Sequence, residues 1–138
     1  MSVKARRQAR RILLQALYQM QVGGHTAEQL LEQFVASPEA KRADIEFFTD
    51  VLEFVAENQT ELDESIASFG DMPAHRLDPV EHSILWVAIA ELRVQPDVPT
   101  KVVINEAIEL AKTFGAEGGY RYINGLLDKA AASLRSAA

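Results

Sequence analysis

A chain of 138 residues, 48% of them hydrophobic, can fill the core of one compact domain without staples. Its zero cysteines exclude disulfides, thiolate metal sites and cysteine nucleophiles, and no run approaches the ~18 apolar residues that span a bilayer. The net charge of −6 argues against a nucleic-acid partner only until it is split: residues 1–22 hold Lys4, Arg6, Arg7, Arg10 and Arg11 and no acid, +5, leaving nine bases against twenty acids, −11.

The first segment carries Ala9, Ile12, Leu13, Ala16, Leu17 and Met20 at three- and four-residue steps, which predicts a helix over about 4–22 that Gly23-Gly24 stops. Thr26 with Gln29 forms a capping box for a short helix carrying Leu30, Leu31, Phe34 and Val35, ended by Ser37-Pro38. A third helix follows through Ile45, Phe48, Leu52 and Val55. Thr60 is the expected N-cap of a fourth, with Leu62, Ile66 and Phe69, which Gly70, Asp71 and Pro73 break at a subdomain boundary. Asp78-Pro79 with Glu81 is a strong helix start, because Asp caps, proline suits the first turn and an acid there favours the dipole. Ile84, Leu85, Trp86, Val87, Ala88, Ile89 and Leu92 make the fifth helix apolar around most of its circumference, as befits a central helix. Pro96 and Pro99 bracket a turn before a helix over Thr100–Phe114, and a last one starts near Gly119 with Ile123, Leu126, Leu127, Ala130 and Leu134. Ala130-Ala131-Ala132 and the closing Ser136-Ala137-Ala138 are expected to fray. The fold class is all-α: about seven helices in two sequential bundles, about 1–72 and about 73–138, forming one domain over 1–138.

The arginine cluster is the sharpest chemical feature. Arg7, Arg10 and Arg11 sit at helical steps and fan out with Lys4 and Arg6, with no acid nearby in the sequence. Unpaired guanidinium forks on adjacent turns repel one another, and they match phosphate geometry. The cluster is then a phosphate-binding face or a solvated face paired with acids from elsewhere in the fold. Fields are screened beyond roughly 8–10 Å, so the acidic remainder does not prevent local binding of a polyanion. If the face is free, removing Arg7 and Arg10 together costs RNA affinity while changing stability by no more than about 0.5 kcal/mol.

Gly118-Gly119-Tyr120-Arg121-Tyr122 offers a second edge, where helix-end amides can hold phosphate and tyrosine rings can stack bases; it also reads as an inter-helix turn with one tyrosine in the core. Two such surfaces on one side favour single-stranded RNA over duplex DNA. Asn105 and Asn124 are expected to form a structural polar lock between the last helices, and Glu106 and Glu109 with Lys112 to be ordinary exposed charge partners. His75 and His82 flank the Asp78-Pro79 cap and read as surface or cap-adjacent side chains rather than metal ligands. No phosphate-binding G-x-x-x-x-G-K-[ST] loop, G-x-S-x-G elbow or H-E-x-x-H pair is present, so the chain reads as non-enzymatic, with no cofactor and no metal. The N-terminus has no signal-peptide pattern, and the expected location is the cytoplasm.

Four blocks, ARRQARRILLQALYQMQ, DPVEHSILWVAIAELR, DVPTKVVINEAIELAKTFGAE and YINGLLDKAA, resemble the NusB antitermination family in order over nearly the whole chain, least so from about His25 to Ala74. The resemblance implies two helical subdomains and a factor that joins NusE, a small-subunit ribosomal protein. Such a pair binds boxA RNA in nascent ribosomal-RNA transcripts and, with other Nus factors, helps RNA polymerase pass terminators. By position it implies RNA contact at Lys4, Arg6, Arg7, Arg10 and Arg11, and NusE contact at Tyr18 and Glu81. The chain departs from the family pattern at Gly118 and Gly119, where an acid and a polar residue are usual, and at Tyr122, where phenylalanine is common. A similar domain guides certain ribosomal-RNA cytosine methyltransferases, but 138 residues leave no room for their cofactor-binding domain. The competing class is a helical scaffold, or a homodimer hiding the basic helix, in which the arginines meet carboxylates of a partner.

Overall fold

The computed structural model describes residues 2–135, and every regular element among them is helical. In chain order these are α1 (Val3–Gly23), α2 (Ala27–Val35), α3 (Ile45–Glu57), α4 (Gln59–Gly70), α5 (Pro79–Val94), α6 (Thr100–Phe114) and α7 (Gly119–Leu134). Short 3-10 turns lie at Pro38–Arg42 and Ala74–Arg76.

Local chemistry sets most of the helix ends. Ser2 accepts from the Ala5 amide at 3.0 Å, and Gly24 takes the left-handed φ of 68° that closes α1. The capping box of α2 is complete: the Gln29 amide donates to Thr26 Oγ1 at 3.2 Å, and the Thr26 amide donates to Gln29 Oε1 at 2.9 Å. Asp44 caps α3 and Asp78 caps α5. Thr60 is not a cap: α4 begins at Gln59, and Asn58, in the cap position, turns its amide back onto the Phe54 carbonyl at 2.8 Å. The α3 to α4 corner is thus too short to leave Thr60 outside the helix.

The helices build one continuous apolar core around α5, in which every residue from Glu81 to Leu92 is buried. α5 touches α1, α3, α4, α6 and α7, and α4 also lies on α7, so the two halves of the chain share that core. Ala130 and Ala131 are buried in it and do not fray, because α7 is held at its far end: Arg135 donates to the carbonyls of Glu91, Leu92, Gln95 and Val98 and to the Thr100 hydroxyl. Those carbonyls lie in the last turn of α5 and the turn after it, where the Glu91 and Gln95 carbonyls also accept from the Gln95 and Val98 amides. The closing Ser136-Ala137-Ala138 lies outside the described residues.

One polar contact runs through the core. Arg10 of α1 meets Glu91 of α5 in a bidentate pair, Nε to Oε2 and Nη2 to Oε1, both at 2.8 Å, with the side chains 4% and 1% exposed. Burial works against the Arg10 charge, but the hydrogen bonds and charges of Glu91 and Glu106 outweigh it and hold the guanidinium above its ordinary pKa. Burial likewise dominates at Glu91 and pushes its carboxyl up, opposed by Arg10. Arg10 is therefore a structural group, which overturns the expectation that it sits free on the basic face. Removing one partner of such a pair strands the other, so Arg10→Ala should cost about 3–5 kcal/mol in chemical denaturation rather than a surface-like half. The stranded Glu91 has a folded pKa raised above its unfolded value, so its protonated form favours the fold, and that contribution is lost as pH rises through the folded pKa. The deficit of Arg10→Ala should accordingly shrink as pH is lowered toward the carboxylate range.

Candidate nucleic-acid interface

With Arg10 turned inward, the helical step of about 100° per residue puts Arg7, Arg11 and Lys4 on one side of α1 and Arg6 on the other. Arg6 faces α3 and the α5 to α6 turn: its Nε donates to Asp44 Oδ2 at 3.4 Å, Nη2 lies 3.6 Å from Asp97, and the guanidinium stands 5.2 Å from the centre of the Phe47 ring. Arg7 faces α6, with Nε donating to Glu106 Oε1 at 2.9 Å, yet its side chain remains 57% exposed. The same Glu106 oxygen lies 3.4 Å from Arg10 Nη1. Arg11 is exposed and stands over the Phe114 ring at 5.9 Å. Among the described residues, neither Arg11 nor the exposed Lys4 has a carboxylate within ion-pair distance.

Three of the five cations are therefore paired with acids from elsewhere in the fold, which corrects the reading of an unpaired cluster. The open part is a groove between α1 and the second half of α6, lined by Arg7, Arg10, Arg11, Glu106, Glu109, Leu110 and Thr113. Glu106 is buried rather than an exposed partner of Lys112. Asn105 and Asn124 are exposed, so no polar lock forms between them; the last helices meet through apolar side chains such as Leu110, Ala111, Ile123 and Leu127.

A second groove adjoins the first and shares Arg11. It is mostly apolar, lined by Leu14, Gln15, Tyr18, Gln19, Val80 and Phe114, with Tyr18 41% and Phe114 46% exposed. The family resemblance pointed to Tyr18, whereas Leu14, Val80 and Phe114 carried no signal in the sequence that marked them for this surface. Glu81 does not join Tyr18 on this surface. It is buried, with its carboxylate against the backbone of Gly119, where an added Cβ would lie 2.6 Å from Oε2. The start of α7 thus receives an anion from its own chain, as a helix N-terminus favours.

Gly118-Gly119-Tyr120-Arg121-Tyr122 divides by role. Gly118 supplies the left-handed φ of 81° that turns the chain into α7, and Gly119 the room for Glu81. The Tyr122 hydroxyl donates to the Gly70 carbonyl at 3.2 Å, tying α7 to the end of α4, and burial is the main cause that raises its pKa, with Asp71 and Glu81 adding to it. Tyr122 is thus a packing residue rather than an open stacking platform. Tyr120 lies 4.9 Å from the Lys112 ammonium and 5.5 Å from the Arg121 guanidinium. Both basic edges border the last turn of α6, one through Phe114 and the other through Lys112.

The two histidines separate. His75 is exposed, while buried His82 places Nε2 2.6 Å from Asp63 Oδ1, an atom that also accepts from Trp86 Nε1 at 2.8 Å. Among the described residues no three His, Cys, Asp or Glu side chains are grouped to hold a metal ion, and no helix is long and apolar enough to cross a membrane.

The contact of Tyr122 with Gly70 makes a packing prediction. A Cβ on Gly70 would fall 2.1 Å from the Tyr122 hydroxyl, so Gly70→Ala should destabilise by about 1–3 kcal/mol. Tyr122→Phe in the same chain should recover part of that loss in thermal unfolding, because Leu126 Cδ1 at 2.8 Å still crowds the site.

The likenesses to known proteins run the length of the chain. The NusB family model matches residues 7–132. The transcription antitermination protein NusB of Hydrogenovibrio crunogenus is 44% identical over 98% of this chain and 84% of its own length. That of Alcanivorax borkumensis is 46% identical over 96% of this chain and 89% of its own. A solved structure of T. maritima NusB superposes with a TM-score of 0.81 at 30% identity, covering 91% of this chain and 89% of that one. These relatives are named as transcription factors and not as enzymes, and this chain belongs to the NusB family.

Proposed function

We propose that the chain is an RNA-binding transcription antitermination factor. Together with NusE it binds boxA RNA in nascent ribosomal-RNA transcripts in the cytoplasm and, with other Nus factors, supports processive transcription by RNA polymerase. The name borne by its full-length relatives supports the antitermination role. The observation that carries the RNA contact is the open groove on α1, where Arg7 and Arg11 face solvent beside exposed Lys4. Arg6, held by Asp44 and Asp97, lies on the other side of α1, while Tyr120 with Arg121 forms a second edge across the last turn of α6. Arg10 contributes by holding α1 in place and not by touching phosphate.

The adjoining apolar groove around Tyr18 and Phe114 is the surface that suits NusE, because apolar side chains half-exposed beside a polar rim are what a protein partner covers. Glu81 supports that surface from behind, through the packing of α5 on α7.

Anisotropy titration of labelled boxA RNA across a salt series, with and without NusE, tests the reading. Each single-strand phosphate neutralised adds about 0.7 to the log-log salt slope, so Lys4→Ala with Arg11→Ala should weaken binding and flatten the slope by about 1.4 while leaving thermal unfolding nearly unchanged. Binding that is absent, or indifferent to salt, under both conditions would remove the RNA reading. Tyr18→Ala should leave the salt slope of the chain alone unaltered and lower its affinity for NusE at least tenfold in calorimetry, as truncating a half-exposed aromatic anchor does.

A further inference from the structure

Glu106 is an acid in a surface otherwise read as basic. Its Oε1 accepts from Arg7 Nε at 2.9 Å and lies 3.4 Å from Arg10 Nη1, and the residue is buried. Arg10 has no need of a second carboxylate, since Glu91 already holds it through two 2.8 Å hydrogen bonds. Counting formal charges, Arg7 and Arg10 against Glu91 and Glu106 sum to zero, so this part of the groove carries no net charge. Arg7 is nevertheless not consumed. It spends only Nε on the protein, and its two terminal amino groups have no protein partner among the described residues.

We propose that Glu106 is a specificity-determining residue that cancels the charge of Arg7 while fixing its orientation, so that the groove selects a phosphate placed to meet the free edge of the guanidinium rather than any polyanion. The proposal rests on the RNA reading above. Long-range attraction follows net charge and supplies non-specific binding. Hydrogen bonding by a held guanidinium follows geometry and survives neutralisation. Exposed Glu109, about one helical turn away in the same groove, acts in the same direction from the rim. Arg11, without an acid, supplies the attraction that brings RNA in.

Glu106→Gln tests this, because it keeps the accepting oxygen and removes the charge. Affinity for an oligouridylate and for boxA RNA, each with NusE present, is measured by anisotropy across salt on samples checked for folding by circular dichroism. The expected result is an oligouridylate affinity raised about three- to tenfold, the effect of one unit charge near a surface site, with the salt slope steeper by about 0.7 and a smaller ratio of boxA to oligouridylate affinity. A folded Glu106→Gln that binds oligouridylate no more tightly, or keeps the ratio, overturns the proposal. Should that variant not fold, Glu109→Gln, at an exposed position of the same groove, decides alone by the same shift in ratio. BoxA binding by the unsubstituted chain with no effect of either variant removes the role of Glu106 only; no RNA binding by any of them removes the RNA reading and this proposal with it.

Discussion

A buried arginine on the first helix constrains everything packed around it. Placing two charges away from water costs several kcal/mol each, and the cost is offset only when geometry is near ideal, as it is where Arg10 meets Glu91 through two 2.8 Å hydrogen bonds. α1 must therefore lie on α5 in one rotational setting. That setting sends Lys4, Arg7 and Arg11 to one side and Arg6 to the other, and it presses Leu13 and Leu17 into the core. The basic face is what remains of α1 once that pair and that core are satisfied.

Two grooves follow from this setting and meet at Arg11. One is polar and cationic at its rim, the other apolar around Tyr18, Val80 and Phe114. Occupants of the two would lie side by side, with the guanidinium of Arg11 and the ring of Phe114 between them. On the proposed function, a non-enzymatic factor would need no more chemistry than this: a helical scaffold with a donor-rimmed groove next to an apolar one.

The helices were largely legible in the sequence, because capping, periodicity and proline placement are local. Asp78-Pro79, the Thr26 and Gln29 capping box and the limits of α6 all stand where local chemistry puts them. The site was legible only in part. Segment charge counts cannot see Glu106, 99 residues from the Arg7 it pairs with, or Glu91, 81 residues from Arg10. A signal for one of them was present: Glu91 sits inside a helix that is apolar around most of its circumference, where an acid calls for a cationic partner. Asn105 and Asn124 misled for the opposite reason, since apolar neighbours in sequence do not fix which face of a helix a residue occupies. Tyr122 was open to both readings, and the closeness of Gly70 decides for packing.

The division of labour on α1, with Arg10 as internal brace and Arg7 and Arg11 as open donors, is tested most directly by nitrogen-detected NMR of the arginine Nε groups as boxA RNA and NusE are added. The Nε signals of Arg7 and Arg11 should shift or exchange-broaden while that of Arg10 stays in place. A shift at Arg10 with Arg7 and Arg11 unmoved would contradict the account.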